Sequence, residues 1–408
     1  MPRRLYRIPL TLLVVLATLT AVACCYVFGM AHLQAPRHPL YEASDLYVPR
    51  LVDAFVVLWC LWVGSSIGSF LNVVAWRMPR GNSIRGRSHC PRCQSVLSLN
   101  DNFPVFGWLM LGGRCRACGV RISSRYPIVE ASVGVSLTLV AVLELYELSL
   151  PRQNVLSYGG PLWAPVLSAP MLITLLYHVV GVALSWTLGL VRMDGHRIPQ
   201  NLVVFTGAAI GIPMLVYPTL MIVPWQMQVD DSWNPRGLYV DSIVRILTAL
   251  AAATVLARFL SRGLCPQADP KLDPLGKSTA RLMDLIVILA VPTVLVGWQA
   301  APALVVLASM IAYFLRRFLP SNCDSLGAFA IAMPVSLTFQ LSLWRWLHAG
   351  AIASETNGSF WPSDNGSPWV VLGWCAVLLF VPLWMNDRVR AEEGDPGYGR
   401  EKEIGASD

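Results

Sequence analysis

The chain has 408 residues, of which 55% are hydrophobic and 13% are charged, and its mean hydropathy is +0.54. Soluble domains carry about 25% charged residues, so this composition excludes an ordinary soluble domain and predicts a lipid-facing surface. The net charge is +7, but the arginines lie between apolar segments rather than along one face, which argues against a nucleic-acid-binding protein.

Ten apolar segments are long enough, or nearly so, to cross the hydrocarbon layer of a membrane, which takes about 20 residues of helix. They lie at residues 9–30, 52–75, 128–148, 167–191, 201–223, 238–260, 283–297, 302–316, 326–346 and 369–385. The sequence therefore predicts an all-α fold, a polytopic transmembrane helix bundle of about eight to ten spans. His178 lies inside the fourth segment, where a hydrogen bond between helices is its expected role.

The first apolar segment has two interpretations. Arg3, Arg4 and Arg7 precede an apolar run from Pro9 to Met30, as they would in a signal peptide or in a first membrane span. The run is longer than the apolar core of a signal peptide, which is about 7–15 residues. This length favours a retained span, and a cleaved signal peptide stays open.

The orientation of the bundle follows from its basic loops, because Lys and Arg accumulate on the cytoplasmic side. Between Arg77 and Arg125 the chain has nine arginines and a single acidic residue, Asp101. That loop is predicted to be cytoplasmic, and both termini then lie in the cytoplasm as well. The other loops expected on this side are those at residues 192–200, 261–282 and 316–325.

Two Cys-x-x-Cys pairs occur in this loop, Cys90 with Cys93 and Cys115 with Cys118, and 21 residues separate the pairs. Two such pairs can place four thiolates around one zinc ion, which leaves no ligand position for water and is typical of a structural site. Nearby arginines favour the thiolate form. Disulfides or free thiols are the alternative, but disulfides are rare in a reducing cytoplasm. The sequence therefore predicts a small cytoplasmic zinc-binding element, the four-cysteine element.

Several short motifs surround these cysteines in a specific order. They are Gly68-Ser69-Phe70-Leu71-Asn72, Arg77-Met78-Pro79, Asn102-Phe103-Pro104, Trp108-Leu109, Gly113-Arg114-Cys115 and Arg125-Tyr126-Pro127 with Glu130. Together with the cysteine pairs, this order and spacing resembles the N-terminal domain of type IV prepilin peptidases. The resemblance extends from Gly68 to Glu130.

The resemblance implies a membrane aspartic endopeptidase of the bacterial inner membrane. Such enzymes cleave the short basic leader of type IV prepilins, or of the pseudopilins of type II secretion, at the cytoplasmic face. Many of them then methylate the new N-terminus with S-adenosylmethionine. Gly113 stands where the family has a glycine linked to methylation, so the resemblance implies a role for Gly113 with that cofactor. The implied partners are prepilin or pseudopilin substrates and the lipid bilayer.

The chain divides into five predicted regions. They are an N-terminal span and outer loop (1–51), a prepilin-peptidase N-terminal domain (52–148) that contains the four-cysteine element (76–127), a region similar to membrane aspartyl peptidases (167–346), an outer loop and last span (347–385) and a cytoplasmic tail (386–408). The tail is hydrophilic and charged, which predicts disorder.

An aspartyl peptidase needs two carboxylates close enough to share a proton, so that one activates water while the other donates a proton. In the family, one aspartate precedes a Leu/Ile-Pro pair at the cytoplasmic end of a span, and the other ends a Gly-x-Gly-Asp motif. The resemblance therefore indicates Asp194, which precedes Ile198-Pro199, and Asp284 as the catalytic pair.

The chain departs from the family pattern at both positions. Counted back from the Ile-Pro pair, the first catalytic aspartate of the family aligns with Arg192, and Asp194 aligns with a second acid that many members carry. Counted back from Gly297, the aspartate of Gly-x-Gly-Asp falls at Leu285, one residue from Asp284, and both glycines are absent.

Two functions follow from these departures. If Asp194 and Asp284 form the dyad with a small register shift, the chain is an active leader peptidase. If each is an ordinary interfacial aspartate that caps a helix or pairs with an arginine, the chain is a catalytically inactive homologue. Such a homologue would bind prepilins or serve as an assembly factor for a pilus or secretion system.

Overall fold

A computed structural model of the chain describes residues 10–37, 41–90, 92–98, 101–150, 165, 167–222, 235–265, 277–320, 323–347, 360–362 and 368–385. The predicted disordered tail, 386–408, lies outside the described residues. Within the described ranges the regular structure is helical. Extended backbone pairs there only in two isolated antiparallel β-bridges, His89 with Val96 and Arg114 with Arg121. The predicted all-α fold is therefore confirmed for this part of the chain.

The α-helices of the described part are numbered in chain order. They are α1 (Leu10–Gln34), α2 (Ala43–Arg77), α3 (Phe106–Met110), α4 (Arg125–Leu145), α5 (Ala169–Met193), α6 (Gln200–Val216), α7 (Pro235–Leu264), α8 (Lys277–Val296), α9 (Ala301–Leu315), α10 (Ser325–Ser342), α11 (Trp344–Leu347), α12 (Pro368–Leu378) and α13 (Val381–Trp384). Short 3₁₀ helices lie at Ala35–Arg37, Met78–Arg80 and Pro218–Leu220. Each of the ten apolar segments coincides with one or more of these α-helices.

Six of the described helical segments are long and apolar enough to cross a membrane. They cover Leu12–Gln34, Ala43–Arg80, Arg125–Leu145, Ala169–Met193, Gly237–Leu264 and Ser325–Ser342. Three shorter apolar helices cover Gln200–Val216, Ala301–Leu315 and Pro368–Leu383. The prediction of a polytopic membrane helix bundle is therefore confirmed.

The contact between α2 and α4 depends on small residues. An added Cβ on Gly68 of α2 would lie 3.0 Å from the Cα of Glu130 on α4, and one on Gly64 would lie 3.0 Å from the carbonyl oxygen of Gly134. Glycines four residues apart let two membrane helices approach until their backbones touch. This packing holds the start of α4, and the loop that precedes it, close to the end of α2.

Helices α5 and α10 lie at the centre of the bundle. Nearly all of α10 is buried, and Leu188 and Leu190 of α5 are 0% exposed. Between these leucines, an added Cβ on Gly189 would lie 2.6 Å from the carbonyl oxygen of Ala330 on α10. Helices α1 and α12, in contrast, expose most of their apolar side chains, as helices at a lipid-facing periphery do. The close packing of α5 on α10 places the last turn of α5 beside the first turn of α10.

Buried polar groups join several of these helices within the bundle. His178 of α5 lies 2.7 Å from Glu144 of α4, and both side chains are fully buried. The predicted hydrogen bond between helices is therefore confirmed. The hydroxyls of Tyr26 on α1 and Tyr146 after α4 both donate to Asp53 of α2, at 3.2 and 2.6 Å. Ionisable groups inside membrane bundles are paired in this way because an unpaired charge there is costly.

Candidate functional site

The two cysteine pairs lie on two turns with the same backbone hydrogen-bond pattern. In each turn the N–H of the first cysteine donates to the carbonyl five residues later, at 2.9 Å in the Cys90 turn and 2.8 Å in the Cys115 turn. The residue four positions after each cysteine donates back to the cysteine carbonyl at 2.9 Å, and it has a positive φ, 57° at Gln94 and 71° at Gly119. The geometry of each pair is therefore set within six consecutive residues.

The four thiols come together in space. All four sulfur atoms lie within 4.8 Å of one another, with 3.8 Å between those of Cys90 and Cys118 and 4.0 Å between those of Cys93 and Cys115. Four ligands with zinc–sulfur bonds of about 2.3 Å form a tetrahedron with edges of about 3.8 Å. The cluster therefore has the size and the donor atoms that fit a metal ion bound by four sulfurs.

Hydrogen bonds favour the thiolate form at two of these sulfurs. The hydroxyl and backbone N–H of Ser95 lower the pKa of Cys93 to about 6. Backbone N–H groups of the second turn, first that of Cys118, lower the pKa of Cys115. Although the Val120 N–H acts in the same direction at Cys118, desolvation and the three neighbouring sulfurs outweigh it and raise the pKa of Cys118 to about 11. A metal ion would offset this crowding of negative charge, because it binds the thiolate form.

The four-cysteine element is attached to the bundle through α3. Glu130 of α4 accepts a hydrogen bond from the backbone N–H of Val105, at 2.7 Å, immediately before α3 begins. Val105 has a φ of 60°, and such a conformation costs a non-glycine residue about 1–3 kcal/mol. The half-buried hydrogen bond to the Glu130 carboxylate is a contact that offsets this cost. On the other side of α3, the indole N–H of Trp108 donates to the carbonyl of Ile122 at 3.1 Å.

Gly113, which the resemblance links to methylation, packs against the ring of Trp108. Its φ is +67°, and an added Cβ would lie 2.8 Å from Cζ2 of that ring. Both the left-handed backbone and the close approach require glycine. The packing of the element thus accounts for the glycine on structural grounds, and a cofactor role for Gly113 stays a prediction.

Asp284 lies in the second turn of α8 and is 5% exposed. Its carboxylate accepts hydrogen bonds from Nη1 of Arg192 and from the backbone N–H of Ile198, each at 3.3 Å. Arg192, in the last turn of α5, is 3% exposed. Arg192 and Asp284 therefore form a buried ion pair, and the alignment of Arg192 with the first aspartate of the family stays a prediction.

A third aspartate, Asp324, joins this site from the start of α10. It is the N-cap of that helix, and its carboxylate accepts from the Gly327 N–H at 2.7 Å. Its Oδ2 atom also lies 3.1 Å from Nη2 of Arg192 and 3.4 Å from Nη2 of Arg281. Arg192 thus bridges the carboxylates of α8 and α10. Sequence reasoning missed Asp324, although an aspartate directly before an apolar run is a helix N-cap signal that could have located it.

Asp194 is held by a different arginine. It is the C-cap of α5, and its carboxylate oxygens lie 2.5 and 2.9 Å from the two terminal nitrogens of Arg125, the first residue of α4. The Asp194 side chain is 13% exposed and that of Arg125 is 33% exposed. Gly195, with a φ of +72°, then turns the chain towards α6. We call Asp194, Asp284 and Asp324 the carboxylate cluster.

The structure brings Asp194 and Asp284 to one end of the bundle but gives them different partners. The turn at residues 192–198 carries Asp194, and its Ile198 N–H binds Asp284. Within the described residues, the hydrogen bonds and ion pairs of both carboxylates are made with other groups rather than with each other. Because α8 begins at Lys277, Asp284 lies inside a helix instead of after a glycine-rich turn. A proton-sharing pair of these two acids therefore stays a prediction.

Comparison with known proteins gives one family-model match, which contains the four-cysteine element, and several relatives. Residues 62–144 match the family model described as the bacterial peptidase A24 N-terminal domain. A prepilin leader peptidase/N-methyltransferase of Myxococcus xanthus is 39% identical over 190 residues, which cover 45% of this chain and 53% of that protein. A protein of the same name from Pectobacterium carotovorum is 33% identical over 244 residues, which cover 52% of this chain and 78% of that protein.

A third relative, a type 4 prepilin-like proteins leader peptide-processing enzyme of Escherichia coli, is 41% identical over 99 residues. These residues cover 20% of this chain and 37% of that protein. The chain thus spans about half of the Myxococcus relative, 53%, and little more than a third of the Escherichia relative, 37%. No solved structure matches the chain.

Proposed function

The chain belongs to the prepilin leader peptidase/N-methyltransferase family, and on that premise we propose that it is a membrane aspartic endopeptidase that removes the leader from type IV prepilins or pseudopilins. The proposed location is the bacterial inner membrane, with both termini in the cytoplasm and cleavage at the cytoplasmic face. Residues 52–148 would form the prepilin-peptidase N-terminal domain, and residues 167–346 the aspartyl peptidase region. The names of the relatives support this proposal.

The observation that carries the proposal is the carboxylate cluster beside the four-cysteine element. Asp194 contacts Arg125 at the end of that element, and Asp284 contacts the same turn that carries Asp194. In the proposed reaction one of these carboxylates takes a proton from water while the water oxygen attacks the carbonyl carbon of the leader bond. The carbon–nitrogen bond then breaks, and the other carboxyl group donates its proton to the leaving amine. The products are the free leader and a pilin with a new N-terminus.

A second candidate function is supported by Arg192. Because Arg192 stands where the family has its first aspartate and pairs with Asp284 at 3.3 Å, it stabilises the ionised form of the acid that would have to share a proton. In this second candidate the chain is an inactive homologue, which binds prepilins and acts as an assembly factor for a pilus or secretion system. Both candidates use the same end of the helix bundle and differ only in whether a peptide bond is cleaved.

We assign a structural zinc ion to Cys90, Cys93, Cys115 and Cys118. The sulfur separations support this assignment, and four protein ligands leave no position for a reacting water. When bound, zinc would supply a cross-link between the two turns rather than catalysis. The cysteines themselves would hold the loop in one shape at the start of α4.

N-methylation is the second activity in the names of two of the relatives, and we extend the proposal to it, with S-adenosylmethionine as the methyl donor. Gly113 is the residue linked to this step by resemblance. Its packing against Trp108 suggests that it would act through the shape of the four-cysteine element. Mass spectrometry of the processed substrate tests the step directly, because methylation adds the mass of one methyl group to the new N-terminus.

The leader-cleavage proposal is tested by co-expressing the chain with a pseudopilin from the same genome. The readout is the decrease in pseudopilin mass when the leader is removed. We expect cleavage by the wild type and none by Asp194→Asn or Asp284→Asn. Asp45→Asn is the matched control, because Asp45 is an exposed aspartate at the other end of α2. Cleavage that persists in both variants would remove these residues from the reaction and make Asp324→Asn the next variant to measure.

An uncleaved substrate with the wild type would favour the second candidate, and co-purification of the intact prepilin would then be expected. Arg192→Asp provides an independent test, because it restores the acid that the family pattern has at this position. Cleavage gained by Arg192→Asp but not by Arg197→Asp, an exposed arginine in the same turn, would identify Arg192 as the residue that prevents the reaction.

A further inference from the structure

One ion pair joins the four-cysteine element to the turn that carries Asp194. The two terminal nitrogens of Arg125 lie 2.5 and 2.9 Å from the two carboxylate oxygens of Asp194, which is 69 residues away in the sequence. A paired, two-nitrogen contact of this kind fixes the relative orientation of both groups as well as their distance. It therefore differs from a surface ion pair with a single mobile contact, which contributes little.

On one side of this contact, Arg125 is attached firmly to the second cysteine turn. Six residues separate Cys118 from Arg125. Within them, the backbone of Arg121 pairs with that of Arg114 in an antiparallel β-bridge. The N–H of Ile122 donates to the carbonyl of Gly113 at 2.7 Å. Because these contacts connect the cysteine turn to Arg125, a change in the shape of the turn would shift the first residue of α4.

On the other side, Asp194 belongs to a turn with several internal contacts. The His196 N–H donates to the carbonyl of Val191 at 3.2 Å, and Nη1 of Arg192 donates to the carbonyl of His196 at 2.9 Å. The Ile198 N–H donates to Asp284. The position of Asp194 thus depends on the whole turn at residues 192–198, and this turn touches a second member of the carboxylate cluster.

We infer that Arg125 is a positioning residue that couples metal binding by the four cysteines to the position of Asp194. The inference rests on the proposed function in taking Asp194 as a reacting group and the cysteines as metal ligands. Coupling of two sites is reciprocal. Metal binding therefore stabilises the turn at 192–198, and loss of the Arg125–Asp194 contact weakens metal binding.

Simple electrostatics makes the opposite prediction for one of the two partners. Charge alone acts in opposite directions in the two variants, because one removes a positive charge near the sulfurs and the other removes a negative charge. The coupling, in contrast, predicts weaker zinc binding in both cases. The comparison of Arg125→Gln with Asp194→Asn therefore separates the two explanations.

The experiment measures zinc affinity of the purified full chain by competition with a chromophoric chelator. We expect Arg125→Gln and Asp194→Asn each to weaken zinc binding about fivefold or more, and the double variant to show little further loss, because both changes break one contact. Arg125→Lys, which keeps the charge but lacks the paired nitrogens, is expected to lie between them and the wild type. Arg121→Gln is the matched control, since Arg121 is an exposed arginine of the same element.

A second readout follows the turn itself. Hydrogen exchange of residues 192–198 should be slow in the zinc-loaded wild type, faster after chelation, and fast in Arg125→Gln with or without zinc. Equal effects of Arg125→Gln and Arg121→Gln, tighter zinc binding by Asp194→Asn, additive losses in the double variant, or exchange unaffected by chelation would each overturn the coupling.

These readouts do not require leader cleavage. An uncleaved prepilin together with the expected zinc affinities would remove the peptidase proposal and leave the coupling in place. Normal cleavage together with additive losses of zinc affinity in the double variant would remove the coupling and leave the peptidase proposal in place.

Discussion

The four-cysteine element and the carboxylate cluster touch each other, yet they differ in how their functional groups are partnered. In the element, both cysteine pairs are present and their sulfurs lie within 4.8 Å of one another. In the cluster, Arg192 pairs with Asp284 and Asp324, and Arg125 pairs with Asp194. The element therefore presents four like donor atoms to one ion, whereas the acids of the cluster are held by arginines.

The difference shows what each region depends on. A metal ion at the four sulfurs would lose one of its four ligands with any single cysteine, so the proposed metal site depends on all four residues. The carboxylate cluster holds its charges in balance through Arg125, Arg192 and Arg281. These ion pairs stabilise the fold whether or not the acids react. Activity must therefore be measured separately from folding.

The largest effect is expected from breaking the four-cysteine element. Structural zinc in small zinc domains contributes apparent binding free energies of about 10–16 kcal/mol, so Cys90→Ser should lose most of its metal and much of its yield. The wild type should contain about one zinc per chain by elemental analysis. Cys60→Ser, a half-buried cysteine within α2, is the control and should keep both metal and yield. Equal metal contents in the two variants would contradict the assignment.

The next largest effect is expected from Arg192. Arg192→Gln leaves the Asp284 carboxylate buried without its charged partner, and loss of one member of a buried ion pair costs about 3–5 kcal/mol of unfolding free energy. Arg281→Gln removes a partner of Asp324 that is 38% exposed, and an exposed pair contributes only about 0–1 kcal/mol. Unfolding in mixed micelles with rising denaturing detergent measures both. A similar small loss in the two variants would show that Arg192 is not structural.

The smallest effect is expected from the contact between Gly113 and Trp108. Gly113→Ala has to adopt a φ of +67° and to place its Cβ 2.8 Å from Trp108, whereas Gly112→Ala has a φ of +58° and open space. The strained backbone costs about 1–3 kcal/mol in each variant, so the difference between them measures the contact with Trp108. We expect Gly113→Ala to be the less stable variant and to change the fluorescence of Trp108. Identical stability and spectra would contradict a structural role for the contact between Gly113 and Trp108.

Much of the four-cysteine element could be predicted from the sequence because its geometry is local. Each cysteine turn is closed by hydrogen bonds that span four and five residues, and the spacing of the cysteines already indicates four ligands for one metal ion. The attachment of the element through Glu130 and Val105 could not be predicted, since this contact depends on how α4 packs against α2. The same holds for the packing of Gly113 against Trp108.

The carboxylate cluster was predicted only in part. Asp194 and Asp284 were placed at cytoplasmic helix ends, but Asp324 was missed, and both predicted acids were found with arginine partners. Arg192 is 92 residues from Asp284 and 132 residues from Asp324, and no sequence pattern reports which helix ends meet. Gly189 against Ala330 is the contact that brings the last turn of α5 beside the first turn of α10.

By itself, the sequence determined the helical segments, their apolar surface, the cysteine turns and the family resemblance. These features depend on the side chains within a few residues of each position, or on a run of about 20 apolar residues that favours a membrane helix wherever its neighbours lie. Only the tertiary structure decided that Arg192 holds two acids, that Arg125 holds the third, and that the four-cysteine element contacts the carboxylate cluster. These are contacts between helices, and the packing register of α4, α5, α8 and α10 sets which charges come within hydrogen-bonding distance.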